Sequence, residues 1–202
     1  MKAFKIVTST CVPLAIDDVD TDQIIPARFL KATTREGFGD NLFRDWRYES
    51  DDSLKADFIL NNPVYKGEIL LTGSNFGCGS SREHAAWAIA DFGFRVVISS
   101  FFADIFKNNA LNNGLLPVTL STETVSQLLK DCSKNPDLRL TIDLENQVVV
   151  RNDTNESFSY EINPYKKLCL MNGYDDLDFL LSQKEKTAAY AETLDDWRIL
   201  KR

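Results

Sequence analysis

The residues most able to do chemistry lie in one run, Gly73-Ser-Asn-Phe-Gly-Cys-Gly-Ser-Ser-Arg-Glu-His84. Gly73, Gly77 and Gly79 let backbone amides turn toward a common point. Ser80 and Ser81 bring hydroxyls, Arg82 a planar fork of donors, Cys78 a thiol and Glu83 a carboxylate. If a strand precedes this run and a helix follows it, the helix N-terminus adds partial positive charge, and the product is an anion site. The two familiar phosphate fingerprints fail: Gly77-x-Gly79 has Arg82 where a dinucleotide loop needs its third glycine, and no Gly-Lys-Ser/Thr occurs. Arg82 points instead to a carboxylate, which a guanidinium can grip with two parallel hydrogen bonds.

A purely structural reading stands beside this one. Ser80 followed by Glu83 has the spacing of a capping box, which needs no ligand to justify it. The two readings are compatible, because a capped helix would also hold the serines rigidly. His84, a full turn into the helix, lacks an evident third group to orient it toward Cys78 or Ser80 and reads as a packed histidine. Cys78 could have a lowered pKa at a helix start, but a small apolar filler is the commoner use. Upstream, Asp18-x-Asp20-x-Asp22 has the opening of a calcium loop. Gln23 and Phe29 occupy the positions that would need glycine and a bidentate glutamate, so these aspartates read as turn residues or as partners for an arginine.

The elements that must position the run form an α/β pattern. Lys2 to Thr8 reads as a first strand, followed by an acidic loop closing at Pro26. Residues 27–62 carry glycines, charges and the aromatics Phe38, Phe43, Trp46 and Tyr48 without a period. They read as a long excursion with short helical turns over the site. Glu68 to Thr72 and Phe94 to Ser99 are apolar runs flanking a helical pattern from Ser81 to Phe92, which makes a right-handed βαβ unit. Phe102 to Ala110 and Leu115 to Leu120 add a second unit, and a helix spans Thr122 to Ser133. The alternation Leu138, Leu140, Ile142, Leu144, then Val148 to Val150 and Phe158, Tyr160, Ile162, predicts antiparallel hairpins. Asn163-Pro164 opens a helix that Asn172-Gly173 closes. We expect one domain over 1–183 and a charged, partly helical tail over 184–202.

Composition narrows the function. With 23 basic against 30 acidic side chains, a formal charge of −7 and no Lys/Arg cluster, nucleic acid is an unsuitable partner. A small anionic substrate must then be held by a few local donors. No stretch nears the roughly 18 apolar residues of a membrane span, and Met1 to Val12 lacks a secretory layout, so a cytoplasmic protein with no membrane association is expected. Cys11, Cys78, Cys132 and Cys169 are scattered and His84 is the one histidine. No metal is expected to be held by this chain, and disulfides are not expected.

On Asn75-Phe-Gly-Cys-Gly-Ser-Ser-Arg-Glu-His-Ala85, Val19-Asp-Thr-Asp-Gln-Ile-Ile-Pro26 and Leu115-Leu-Pro117, the chain resembles the small subunits of 3-isopropylmalate dehydratase. The likeness extends through Gly37-Phe-Gly39, Asp45-Trp-Arg47, Phe102-Ala-Asp-Ile-Phe106 and Met171-Asn-Gly173. It fades beyond Gln183, and Ala86 stands where the family commonly has proline. The resemblance implies a swivelling β/β/α-type domain of an aconitase-like hydro-lyase in leucine biosynthesis. It implies a large-subunit partner carrying a 4Fe-4S cluster, and a small dicarboxylate substrate. By position it implies Ser80 as the catalytic base, Ser81 and Arg82 as substrate contacts, and Arg28 with residues 29–43 near the substrate side chain, while Gly77, Cys78, Gly79 and Glu83 support the loop. The competing classes are a related dehydratase acting on another malate, such as citramalate, a stand-alone hydrolase or transferase using Cys78 or Ser80, and a non-catalytic anion sensor.

Overall fold

A computed structural model describes residues 1–31 and 36–193. In chain order the regular elements are β1 (Ile6–Leu14), α1 (Thr21–Ile24), α2 (Arg44–Arg47), β2 (Ile69–Thr72), α3 (Glu83–Phe92), β3 (Val96–Ser99), α4 (Asp104–Asn112), β4 (Leu116–Thr119), α5 (Thr122–Lys134), β5 (Arg139–Asp143), β6 (Val148–Arg151), β7 (Ser157–Ser159), α6 (Pro164–Asn172), α7 (Asp176–Ser182) and α8 (Lys184–Glu192). Three 3-10 turns, at Ala27–Phe29, Phe38–Asn41 and Ile59–Asn61, punctuate the long excursion as its aperiodic sequence predicts.

The strands form one seven-stranded sheet in the order β4-β3-β2-β1-β5-β6-β7. β1 to β4 run parallel and β5 to β7 join as antiparallel neighbours, so the sheet is α/β on one side of β1 and meander on the other. All four residues of β2 and of β3 are buried, as strands covered on both faces must be. Their side chains divide with period two: Ile69, Leu71, Val96 and Ile98 enter a core shared with α5 and the hairpins, while Leu70 and Val97 enter a second core with Ala85, Ala88 and Ile89 of α3 and Phe106 of α4. Each fully buried aliphatic side chain contributes about 1.5–3 kcal/mol, so both cores hold β2 in register and fix where its following loop emerges.

Two expectations need correction. β1 begins and ends later than Lys2 to Thr8, running through Pro13 to Leu14. Its pairing with β5 ends at Thr10, and beyond that the strand pairs only with β2, so Pro13 lies where no second ladder needs its missing N–H. The acidic segment is also not all loop, because Thr21–Ile24 makes one helical turn. Asp20 caps it, accepting from Asp22 N at 2.6 Å, and Gln23 reaches back to Asp20 N at 2.8 Å. The charged tail is helical over Lys184–Glu192, and residues 194–202 lie outside the described part.

Candidate active site

The glycine-rich run leaves the carboxyl end of β2 and meets α3, the edge at which ligands bind in parallel sheets. It is held from two sides. Phe76 N donates to Phe101 O at 3.1 Å, and Ala103 N donates to Phe76 O at 3.2 Å, tying the loop to the segment after β3. The acidic segment ties the other side: Asp18 N donates to Ser74 O (2.9 Å), Gly77 N to Val19 O (2.8 Å) and Thr21 N to Cys78 O (2.9 Å). The buried Thr21 hydroxyl donates to the Ser80 carbonyl at 3.0 Å and so fixes that residue directly.

Gly77 and Gly79 both adopt left-handed backbone, at φ 77° and 85°. A methyl group at Gly77 would run into the Phe106 ring, and one at Gly79 into the Asp20 carboxylate. The glycines therefore serve conformation and close approach together.

Ser80 and Ser81 are exposed at the crest of this loop. The capping expectation fails for Ser80: the N-cap of α3 is Arg82, at φ −100° and ψ 107°, with no side-chain cap. Ser80 lies two residues before that N-cap, its carbonyl accepting from Arg82 N at 2.9 Å. Among the described residues, neither the Ser80 hydroxyl nor the amides of Gly79, Ser80 and Ser81 have a hydrogen-bond acceptor or donor partner. One hydroxyl and three adjacent N–H groups thus stand without partners among the described residues, in an exposed stretch next to the start of a ten-residue helix.

Arg82 is mostly covered, with its side chain 15% exposed, and its Nη1 pairs with Asp22 Oδ1. That contact engages one nitrogen of a five-donor guanidinium. The remaining loop aspartates are also engaged. Asp17 accepts from Ser74 N at 2.6 Å, Asp18 accepts from Asn75 Nδ2 at 2.7 Å, and Asp20 caps α1. The aspartates are ligands for this chain's own donors, in keeping with their reading as turn residues and arginine partners.

The other predicted residues separate. Cys78 is half-buried, and its thiol donates to Asp18 O at 3.4 Å. Desolvation, then the negative charges of Asp20 and Asp18, push its pKa up, the wrong direction for a nucleophilic thiolate. Glu83 turns away from the loop, accepting from Trp87 Nε1 at 3.2 Å and Asn113 Nδ2 at 3.1 Å, so it joins α3 to the end of α4. His84 is half-buried between Phe38 and Trp87, with ring centroids at 5.6 and 4.5 Å. Arg28 is exposed and forked onto Asp45, which holds that carboxyl below its usual range. It lies on the excursion rather than on the loop.

Sequence reasoning anticipated an arginine partner among these aspartates but missed Thr21 and the cap at Asp20 as parts of the site. The signal was present, since Asp20-x-x-Gln23 is itself a capping-box spacing. Among the described residues no three of His, Cys, Asp and Glu converge as a metal-binding set, and no helix is long and apolar enough to cross a membrane.

Residues 1–123 match the aconitase C-terminal domain family, and residues 126–164 match the family described as LeuD_N. The chain is 60% identical over 193 residues to the 3-isopropylmalate dehydratase small subunit of Cytophaga hutchinsonii, covering 96% of each chain. To the protein of the same name from Paramagnetospirillum magneticum it is 47% identical, again covering 96% of each. Among solved structures, a 3-isopropylmalate dehydratase (leuD) from Methanocaldococcus jannaschii superposes with a TM-score of 0.66 at 27% identity, over 92% of this chain and 99% of the other.

Proposed function

Because the chain belongs to the family of 3-isopropylmalate dehydratase small subunits, we propose that it is the smaller half of a hydro-lyase interconverting 2-isopropylmalate and 3-isopropylmalate through 2-isopropylmaleate in leucine biosynthesis. It works only with a large subunit, in the cytoplasm. The observation that carries the mechanistic reading is the unspent Ser80 hydroxyl, exposed beside three free amides and the Arg82 fork.

In this reading Ser80 acts as its alkoxide, taking the proton from the carbon next to a substrate carboxylate, and the hydroxyl so formed returns a proton in the hydration step. An aliphatic alcohol ionises to that base only where its anion is stabilised. The amides of Gly79 to Ser81, the α3 N-terminus and Arg82 supply fixed positive potential where that charge develops. Arg82 grips the substrate carboxylate through the edge that Asp22 leaves open, and Ser81 contributes its amide. The proposed 4Fe-4S cluster of the large subunit would supply a Lewis acid for the departing hydroxyl. Arg28, with residues 29–31 and 36–43, is proposed to lie toward the branched side chain of the substrate. The domain is proposed to span 1–183.

The test is reconstitution. The chain alone should be inactive, and adding the large subunit should restore isomerisation of 2-isopropylmalate, with citramalate and methylmalate turned over at least about 10-fold less efficiently. Preference for one of those malates would move the assignment to a related dehydratase, and robust activity without a partner would reject it.

A further inference from the structure

We infer that the large subunit seats on an apolar rim made by Ile16, Phe101 and Ile105 around the serine loop. The inference rests on the functional reading above and adds to it where the two chains grip. These side chains are 39%, 54% and 52% exposed. Two of them are tied to that loop through their backbones. Gly73 N donates to Ile16 O at 3.2 Å, and Phe76 N donates to Phe101 O at 3.1 Å. Ile105 directly precedes Phe106, the ring that packs beneath Gly77. The neighbouring Phe102 and Phe106 are buried in the core, whereas Phe101 and Ile105 keep about half of their surface outside it. Large apolar groups left partly outside the core, beside an exposed polar loop, are the makings of an interface anchor.

The occupant follows from the site. Ser80 and Ser81 are exposed, and their proposed chemistry requires water to be shut out. A lid over them must also reach the segments that brace the loop, and Ile16 and Phe101 are the exposed apolar side chains bonded to it. A second copy of the chain is a poor occupant, because two faces each bearing Asp17, Asp18, Asp20 and Asp22 would be brought together, in a chain already at −7. The matching surface is therefore apolar at its centre with basic residues at its border. A different apolar face offers a control. Leu177, Leu180 and Leu181 of α7 are 64%, 66% and 61% exposed. They lie at the opposite edge of the parallel strands: the Met1 ammonium, before β1 begins, donates to Gly173 O at 2.8 Å, three residues before α7.

The experiment measures association of the full-length chain with purified cluster-loaded large subunit, alongside circular dichroism and thermal melting of each isolated variant. Phe101→Asp and Ile105→Asp should each weaken association by about 30-fold or more. Their isolated folds should be unchanged, and kcat should return when the large subunit is raised to saturation. Leu180→Asp should bind like wild type. Should an aspartate variant misfold, Phe101→Ser and Ile105→Ser replace it with the same expected direction. Binding within about twofold of wild type by folded rim variants, equal weakening by Leu180→Asp, or Phe101-dependent self-association of the isolated chain would each overturn the rim. If wild type itself neither binds nor activates the large subunit, the functional reading falls and takes the rim with it. If wild type binds and works while rim variants bind equally well, the rim alone falls.

Discussion

Asp20-Thr-Asp-Gln23 and Ser80-Ser-Arg-Glu83 carry the same local pattern, a small polar residue followed three positions later by an acid or amide. They lie against each other in the fold, joined by the Thr21 hydroxyl on the Ser80 carbonyl. Yet only the first is a capping box. Asp20 and Gln23 satisfy one another's backbone donors, whereas Ser80 stands two residues before its helix's N-cap and Glu83 bonds Trp87 and Asn113. The difference separates support from the proposed chemistry: the first segment spends its side chains on structure, while the Ser80 hydroxyl of the second stays unspent. The glycines decide which is which, because left-handed backbone at Gly77 and Gly79 lifts the serines out of helical register.

The comparison can be broken at several points. The largest effect should come from Gly79→Ala, which forces an L-residue into left-handed backbone and drives its methyl into the Asp20 carboxylate, damaging both segments at once. We expect at least about a 10²-fold loss of kcat/KM in the assembled enzyme and about 1–3 kcal/mol of destabilisation in urea melts. Arg82→Lys keeps the charge but loses the planar fork, so KM should rise by about 10-fold or more, with a smaller change in kcat, in steady-state assays. Asp20→Ala removes a true cap and should cost about 1 kcal/mol by chemical denaturation. Its effect on activity should be modest and exerted through the placing of Asp22 beside Arg82.

Much of this was legible in the sequence. The βαβ units, the hairpins and the Asn163 to Gly173 helix declare themselves because burial on one or both faces imposes a period and caps mark the ends. The serine loop declares itself through residue types that a simple turn would not need. What the sequence left open was which of two identical spacings forms a cap, because that depends on a backbone dihedral set by packing: Gly77 against Phe106 and Gly79 against Asp20. The end of β1 was illegible for a similar reason, since Pro13 is acceptable only where β5 has stopped pairing.

The smallest effect lies away from both segments and sharpens their contrast with ordinary structural charges. Gln127 and then Arg151 hold the Asp131 carboxyl below its usual range, with Arg151 also bound to Asp153 at 2.7 Å. A carboxylate with a lowered folded-state pKa stabilises fully above its unfolded value, about 3.9 for aspartate, and loses that contribution as pH falls through the folded value. Asp131→Asn should therefore flatten the acid limb of stability below about pH 4, read from urea midpoints, and leave kcat unaltered.

The most direct test of the central claim is Ser80→Ala, with kcat measured in the assembled enzyme and Tm in the isolated chain. A hydroxyl free of structural duty predicts that kcat falls by at least about 10²-fold with little change in KM, while Tm stays within about 1 °C of wild type. A fall in Tm of several degrees with kcat preserved would contradict it, and would return Ser80 to the capping role that Asp20 performs.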